Sequence, residues 1–233
     1  MANVQNENEP YLLTDGQWTV RVRRPADPGA AAEPARVFLL IHGLTGDENI
    51  MWIFTRGLPK NAWIFSPRAP IAWPKGGYSW VNRSQEELPA LDDFVDVAHR
   101  LYEAFERWRS ISDAPQSSFD VMGFSQGAGL AYTLAALYPQ HVSRVIALAG
   151  FLPRDESAAG GEPGRYSALK GKPVFIAHGT RDETVPVQLA RDAVDLLNAA
   201  GAKVTFCESD VGHKLGANCL RGLDKFILSE PSP

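Results

Sequence analysis

The chain has 233 residues, of which 45% are hydrophobic and 21% charged. That composition can bury a full core and excludes a disordered or low-complexity protein, while the length suits one large α/β unit better than two catalytic domains. A formal net charge of −4 argues against a nucleic-acid partner, whose binding rests on clustered Lys and Arg.

Residues 1–9 are polar and acidic, without the basic start and apolar stretch of a secretory signal. They are expected to be disordered, with residues 10–230 forming a single domain. No apolar run approaches the roughly 20 residues that span a bilayer, so stable membrane insertion is not expected. Runs 11–13 and 18–22 flank Asp15-Gly16, a pair suited to a hairpin turn. The Pro/Gly/Ala-rich stretch 25–34 reads as a surface loop. Six short apolar runs follow, at 37–41, 62–65, 119–124, 145–149, 174–177 and 204–207. They are mostly continuous rather than alternating, as strands covered on both faces require, which predicts a parallel sheet.

Between these strands lie helical patterns. The clearest has Leu91, Phe94, Val95, Ala98, Leu101, Tyr102, Phe105 and Trp108 at steps of three and four. Further helices are expected over 125–138, stopped by Pro139, over 187–200, stopped by Gly201, and over 215–228. Alternating strands and helices give an α/β fold, here with an antiparallel edge from the hairpin. The segments 66–88 and 151–172 are long for structureless connections and hold Trp73, Trp80 and Tyr166, so they are candidate binding loops.

The chemistry centres on Gly123-Phe124-Ser125-Gln126-Gly127, which matches G-x-S-x-G and lies between a strand and a helix. A turn that tight needs small neighbours, exposes the serine Oγ, and sets the N–H of Gln126 at a helix N-terminus. A serine hydroxyl is a poor nucleophile without a base. Of the five histidines, His99 and His141 read as surface residues, and His42 and His178 as shapers of strand-end turns. His213 follows the last strand and precedes the last helix, at the carboxyl edge where such sheets collect ligand-facing groups. Asp182, just beyond the strand at 174–177, fits the order serine, acid, histidine. Glu183 stays open as an alternative acid, and Asp210 as either an acid or a strand-end cap. The loop His42-Gly43-Leu44-Thr45-Gly46 can supply a second oxyanion donor, the N–H of Leu44, beside that of Gln126. Cys207 and Cys219 form no close pair, so neither a disulfide framework nor a metal site is expected and a reducing cytoplasm fits.

Taken together, His42-Gly43-Leu44, Pro67-Arg68-Ala69-Pro70, Gly76-Gly77-Tyr78-Ser79-Trp80, the serine pentapeptide, His178-Gly179 with Asp182, and Gly212-His213 resemble the phospholipase/carboxylesterase family of α/β-hydrolases, which includes acyl-protein thioesterases and small bacterial esterases. The resemblance runs over 37–228. It implies an α/β-hydrolase fold, with a mostly parallel sheet, an antiparallel N-terminal hairpin and helices on both faces. It also implies a cofactor-independent serine hydrolase with Ser125, Asp182 and His213 as triad and Leu44 and Gln126 as oxyanion donors. The chain departs from the family pattern at Thr45-Gly46-Asp47 and at Val81-Asn82. Trp80, Tyr78 and Trp73 are expected to bind substrate, a small acyl ester of short or medium chain, and Trp52 and Phe54 also lie in or near the segments expected to line the acyl side. The rival readings are a long-chain lysophospholipase or acyl-protein thioesterase, a peptidase or lactone hydrolase, and a non-catalytic binding protein. A homodimer is allowed for.

Overall fold

The computed structural model describes residues 9–26, 35–82, 88–158 and 160–229. The expected disordered start lies outside them except for Glu9, as do most of the loop at 25–34 and residues 83–87 of the segment 66–88.

The N-terminal hairpin forms as its turn predicts. β1 (Tyr11–Asp15) and β2 (Trp18–Arg23) pair antiparallel, with Gly16 in the left-handed conformation at φ +58. The chain continues through β3 (Val37–Ile41), the 3-10 helix Ile50–Gly57, β4 (Trp63–Pro67), the short β5 (Ile71–Ala72) and β6 (Tyr78–Ser79), and α1 (Leu91–Ser112). It then runs through β7 (Phe119–Phe124), α2 (Gln126–Leu137), β8 (Val142–Leu148), the 3-10 helix Gly164–Leu169, β9 (Pro173–Gly179), α3 (Val187–Ala199), β10 (Lys203–Ser209) and α4 (Ala217–Leu228).

All six apolar runs thus become strands of one sheet, ordered β1-β2-β4-β3-β7-β8-β9-β10. It is parallel from β4 to β10, with the hairpin antiparallel at one edge. This is the α/β-hydrolase architecture, and the alternation along β3 shows why both faces are covered. Val37, Leu39 and Ile41 join the apolar layer under α1, α2 and α3, whereas Phe38 and Leu40 join the layer under α4 and Met51 of the first 3-10 helix. No helix among the described residues is long and apolar enough to cross a membrane.

Two segments differ from their sequence readings. The stretch 66–88 contains β5 and β6, a small hairpin of its own. In 151–172, Arg165 ties the loop to α1, since its guanidinium reaches Asp155 at 2.8 Å and Asp92 at 2.7 Å. The Arg165 hydrogen bonds hold the Asp155 carboxyl well below the usual carboxylate range. The Tyr166 hydroxyl donates to the Pro153 carbonyl at 2.6 Å.

The cysteine reading needs correction. Cys207 of β10 and Cys219 of α4 form a disulfide, at a sequence separation of 12 and with Cα atoms 5.6 Å apart. Sequence distance hid the pair, because the strand-to-helix turn at His213 folds α4 back onto β10. Paired in this way, the two cysteines give no reason to expect a reducing compartment.

Candidate active site

The carboxyl ends of β3, β7, β9 and β10 bring the candidate residues together. Ser125 stands between β7 and α2 at φ +54 and ψ −120, a conformation that L-residues rarely adopt and that marks stored strain. Close packing imposes it. A Cβ on Gly123 would lie 2.1 Å from the Gly127 carbonyl oxygen, and one on Gly127 would lie 2.2 Å from that of Ile41. Only glycine at both positions lets helix, turn and neighbouring strand approach so closely. Helix α2 accordingly begins at Gln126, one residue later than its sequence pattern, because Ser125 belongs to the turn.

His213 follows β10. Its Nδ1–H donates to Asp182 Oδ2 at 2.7 Å, and its ring packs on Phe124 with centroids 5.0 Å apart. The Asp182 carboxylate is itself held, for Oδ1 accepts the backbone N–H groups of Thr184 and Val185, each at 2.9 Å. One oxygen is thus fixed by backbone and the other faces His213, and Nε2 is the imidazole nitrogen that the carboxylate does not hold. The open alternatives now separate. Glu183 is exposed, and Asp210 pairs with Arg181 at 2.6 Å on the surface.

His42 and His178 are buried turn-shapers. The Ala69 N–H donates to His42 Nε2 at 3.0 Å and the opposite ring nitrogen lies 2.7 Å from the Gly43 carbonyl oxygen. That pattern requires the neutral ring carrying its proton on Nδ1. Burial agrees, lowering the His42 pKa from 6.5 to about 4. His178 Nε2 lies 2.8 Å from the Val185 carbonyl oxygen. The loop after His42 places Leu44 beside the elbow, and among the described residues neither the Leu44 nor the Gln126 backbone N–H is engaged by another backbone group.

Ser125, His213 and Leu44 line one cavity of about 660 Å³, within the size range of small-molecule sites. Its apolar walls come from Ile50, Met51, Ile53 and Phe54 of the first 3-10 helix and from Leu215 and Leu220. Of the aromatic residues expected there, Phe54 lines the cavity and the others are elsewhere. Trp80 is 1% exposed, stacked on Trp18 with centroids 6.4 Å apart, and donates its indole N–H to the His42 carbonyl at 2.7 Å. Tyr78 lies under the Arg68 guanidinium, 4.8 Å from ring centroid to carbon, and Trp73 closes the β5-β6 turn. The aliphatic wall residues carry no such expectation, because 50–57 shows no helical pattern long enough to place them. The spacing of Ile50 and Ile53 is the signal that could have placed them.

A model of the phospholipase/carboxylesterase family matches residues 28–229. This chain belongs to that family. Acyl-protein thioesterase 1 of Debaryomyces hansenii is 28% identical over 193 residues, covering 75% of this chain and 82% of that protein. The Candida albicans protein of the same name is 27% identical over 203 residues, covering 78% and 84%. Among solved structures, a Bacillus cereus carboxylesterase superimposes with a TM-score of 0.77 at 21% identity, over 91% of this chain and 94% of that one. A Mesorhizobium loti carboxylesterase gives 0.75, also at 21%, over 95% and 99%. With its family, this chain is a hydrolase.

Proposed function

We propose that this protein is a serine carboxylesterase acting on short- to medium-chain acyl esters through an acyl-serine intermediate. The observation that carries the reading is the 2.7 Å bond from His213 to Asp182 on the wall of the apolar cavity that Ser125 also lines. In this reading Ser125 Oγ attacks the acyl carbonyl as His213 Nε2 takes its proton. Asp182 holds the imidazolium, and the N–H groups of Leu44 and Gln126 bind the oxyanion. His213 returns the proton to the departing alkoxide, and water, deprotonated by the same ring, releases the acid and restores Ser125. No metal or cofactor enters this cycle.

Chain length follows from space. The cavity of about 660 Å³ must hold the acyl chain and the near part of the leaving group, which supports a chain bounded by Phe54, Leu215 and Leu220. A second reading, a long-chain acyl-protein thioesterase, is favoured by one observation besides the names of the relatives: Ile50 and Ile53 carry the apolar wall out to solvent at 53% and 69% exposure. Specificity constants over p-nitrophenyl esters from acetate to palmitate, with matched thioesters, separate the two. An optimum near butyrate or hexanoate supports the first, and one at about twelve carbons or more supports the second, since each added methylene then still finds apolar surface. Absence of labelling by a fluorophosphonate would overturn both in favour of a binding protein.

A further inference from the structure

Trp80 and Ser79 lie outside the cavity, yet they touch both segments that supply the proposed oxyanion donors. On one side, the Trp80 indole N–H donates to the carbonyl of His42 at 2.7 Å, two residues before Leu44. The same loop is paired to β6, with Thr45 N–H donating to the Tyr78 carbonyl at 2.9 Å and Tyr78 N–H to that of Gly46 at 3.1 Å. On the other side, the Trp80 backbone N–H donates to Gln126 Oε1 at 2.9 Å. The Ser79 hydroxyl has one proton, and its shortest contact is to the Val81 carbonyl at 2.7 Å. Its oxygen is therefore left to accept from Gln126 Nε2 at 3.2 Å. Both ends of the Gln126 amide are thus used, and its side chain cannot turn without breaking a bond in a site where Ser79 is fully buried and Trp80 nearly so.

We infer that Ser79 and Trp80 are positioning residues, a brace that fixes the separation of the Leu44 and Gln126 N–H groups and so tunes stabilisation of the transition state rather than binding of the ester. Two segments from different strands carry the donors, touching where Gly127 approaches the Ile41 and His42 carbonyls, and the brace adds side-chain hydrogen bonds to that backbone contact. A single residue, Trp80, hydrogen-bonds to both. The geometry also accounts for Gly77 at φ +74. A Cβ there would lie 1.9 Å from the Thr45 carbonyl oxygen, so the hairpin can close on the oxyanion loop only with glycine at this point.

The inference rests on the oxyanion assignment above, and the test keeps the two apart. Trp80→Phe removes the indole N–H but keeps an aromatic ring, and Gln126→Met removes the amide while its backbone N–H remains. For each, kcat is measured per active site, counted by fluorophosphonate titration, together with KM and the affinity of an alkyl boronate that mimics the tetrahedral state. We expect kcat to fall roughly 10- to 100-fold, part of the loss seen when an oxyanion donor is deleted outright, with KM within about twofold and boronate affinity falling in step. The double variant should lose less than the product of the single losses, because both break one brace. Trp63→Phe, a change in the core at β4, should lower thermal stability and leave kcat per site unchanged. If Trp80→Phe and Gln126→Met behave as Trp63→Phe does, the brace is overturned and the oxyanion hole stands. If wild-type protein binds the boronate no tighter than substrate, the oxyanion assignment itself fails.

Discussion

The Cys207–Cys219 disulfide closes a loop with a sequence separation of 12, and His213 sits at its midpoint. In the chain-entropy model a cross-link over a loop of that size stabilises the native state by about 3 kcal/mol, by restricting the unfolded chain. For a protein of this length, that corresponds to a loss of about 6–12 °C in Tm when the bond is cut. The effect should not stop at stability, since β10 is an edge strand and α4 supplies Leu220 to the cavity wall. Reduction with a phosphine should therefore lower Tm by that amount and reduce turnover as well, because a displacement of about 1 Å in a catalytic group can cost a hundredfold in rate. Cys207→Ala, Cys219→Ala and the double variant should all match the reduced protein in differential scanning fluorimetry, as each removes the same bond, and none should respond further to reductant. Two alkylatable thiols in unreduced protein, or a Tm indifferent to reductant in the wild type, would refute the reasoning.

Ser125→Ala should keep the fold by circular dichroism, lose fluorophosphonate labelling and lose turnover by about a millionfold. Asp182→Asn should leave KM near wild type while kcat drops by up to about ten thousandfold, since the amide favours the wrong imidazole tautomer, and Glu183→Gln should change little. Exchange of those two results would move the acid to Glu183. Phe54→Ala or Leu220→Ala should shift the acyl-length optimum upward, each newly buried methylene raising kcat/KM about fourfold. Trp80→Ala should leave the optimum in place and cost about 3–5 kcal/mol of stability in urea titrations. Lastly, His42 is buried neutral, with its pKa lowered from 6.5 to about 4. The unfolded chain binds its proton first on acidification, so this contribution is complete above 6.5 and is lost as pH falls toward 4, by about 3 kcal/mol. An NMR titration placing His42 near 6.5 would contradict that.

Most of the sheet was legible because burial on both faces writes itself as continuous apolar runs. The segment 37–41 is buried at every position. The helices were legible for the same reason in another period, with Phe94, Leu101, Phe105 and Trp108 all fully buried along one side of α1. The pairing of His213 with Asp182 could be anticipated from chain order, since each follows a strand of the same parallel sheet. What was not legible depended on contacts between distant segments. The sequence points Trp80 to the pocket because an aromatic side chain in a long loop looks the same whether it faces a ligand or Trp18. The cavity wall was legible only at Phe54, because 50–57 form a 3-10 helix, too short for a periodicity argument. The disulfide was missed because no spacing rule relates a strand cysteine to a helix cysteine across a turn.

Backbone strain is concentrated at the candidate site. Among the described residues, four non-glycine positions have positive φ: Thr45, Asp113, Ser125 and Ala149. Asp113 ends α1, where a left-handed residue is ordinary. The other three meet at one place. Thr45 follows Leu44 in the proposed oxyanion loop, Ser125 stands in the strand-to-helix turn, and Ala149 comes directly after Leu148, whose carbonyl accepts the Ser125 N–H at 2.9 Å. Each such conformation costs on the order of 1–3 kcal/mol and persists only where surrounding contacts leave no alternative. Those contacts are visible here: Thr45 is pinned by Tyr78, and Ala149 donates to the Ala177 carbonyl at 2.8 Å. Ser125 is wedged between two glycines that admit no Cβ. Their coincidence at the candidate site fits a turn geometry that serves the reaction proposed at Ser125. Replacing Thr45 by Gly, which relieves strain without removing a hydrogen-bonding backbone group, should raise Tm or leave it unchanged while lowering kcat. A variant with both stability and turnover intact would show that the strain at this loop plays no part in the chemistry.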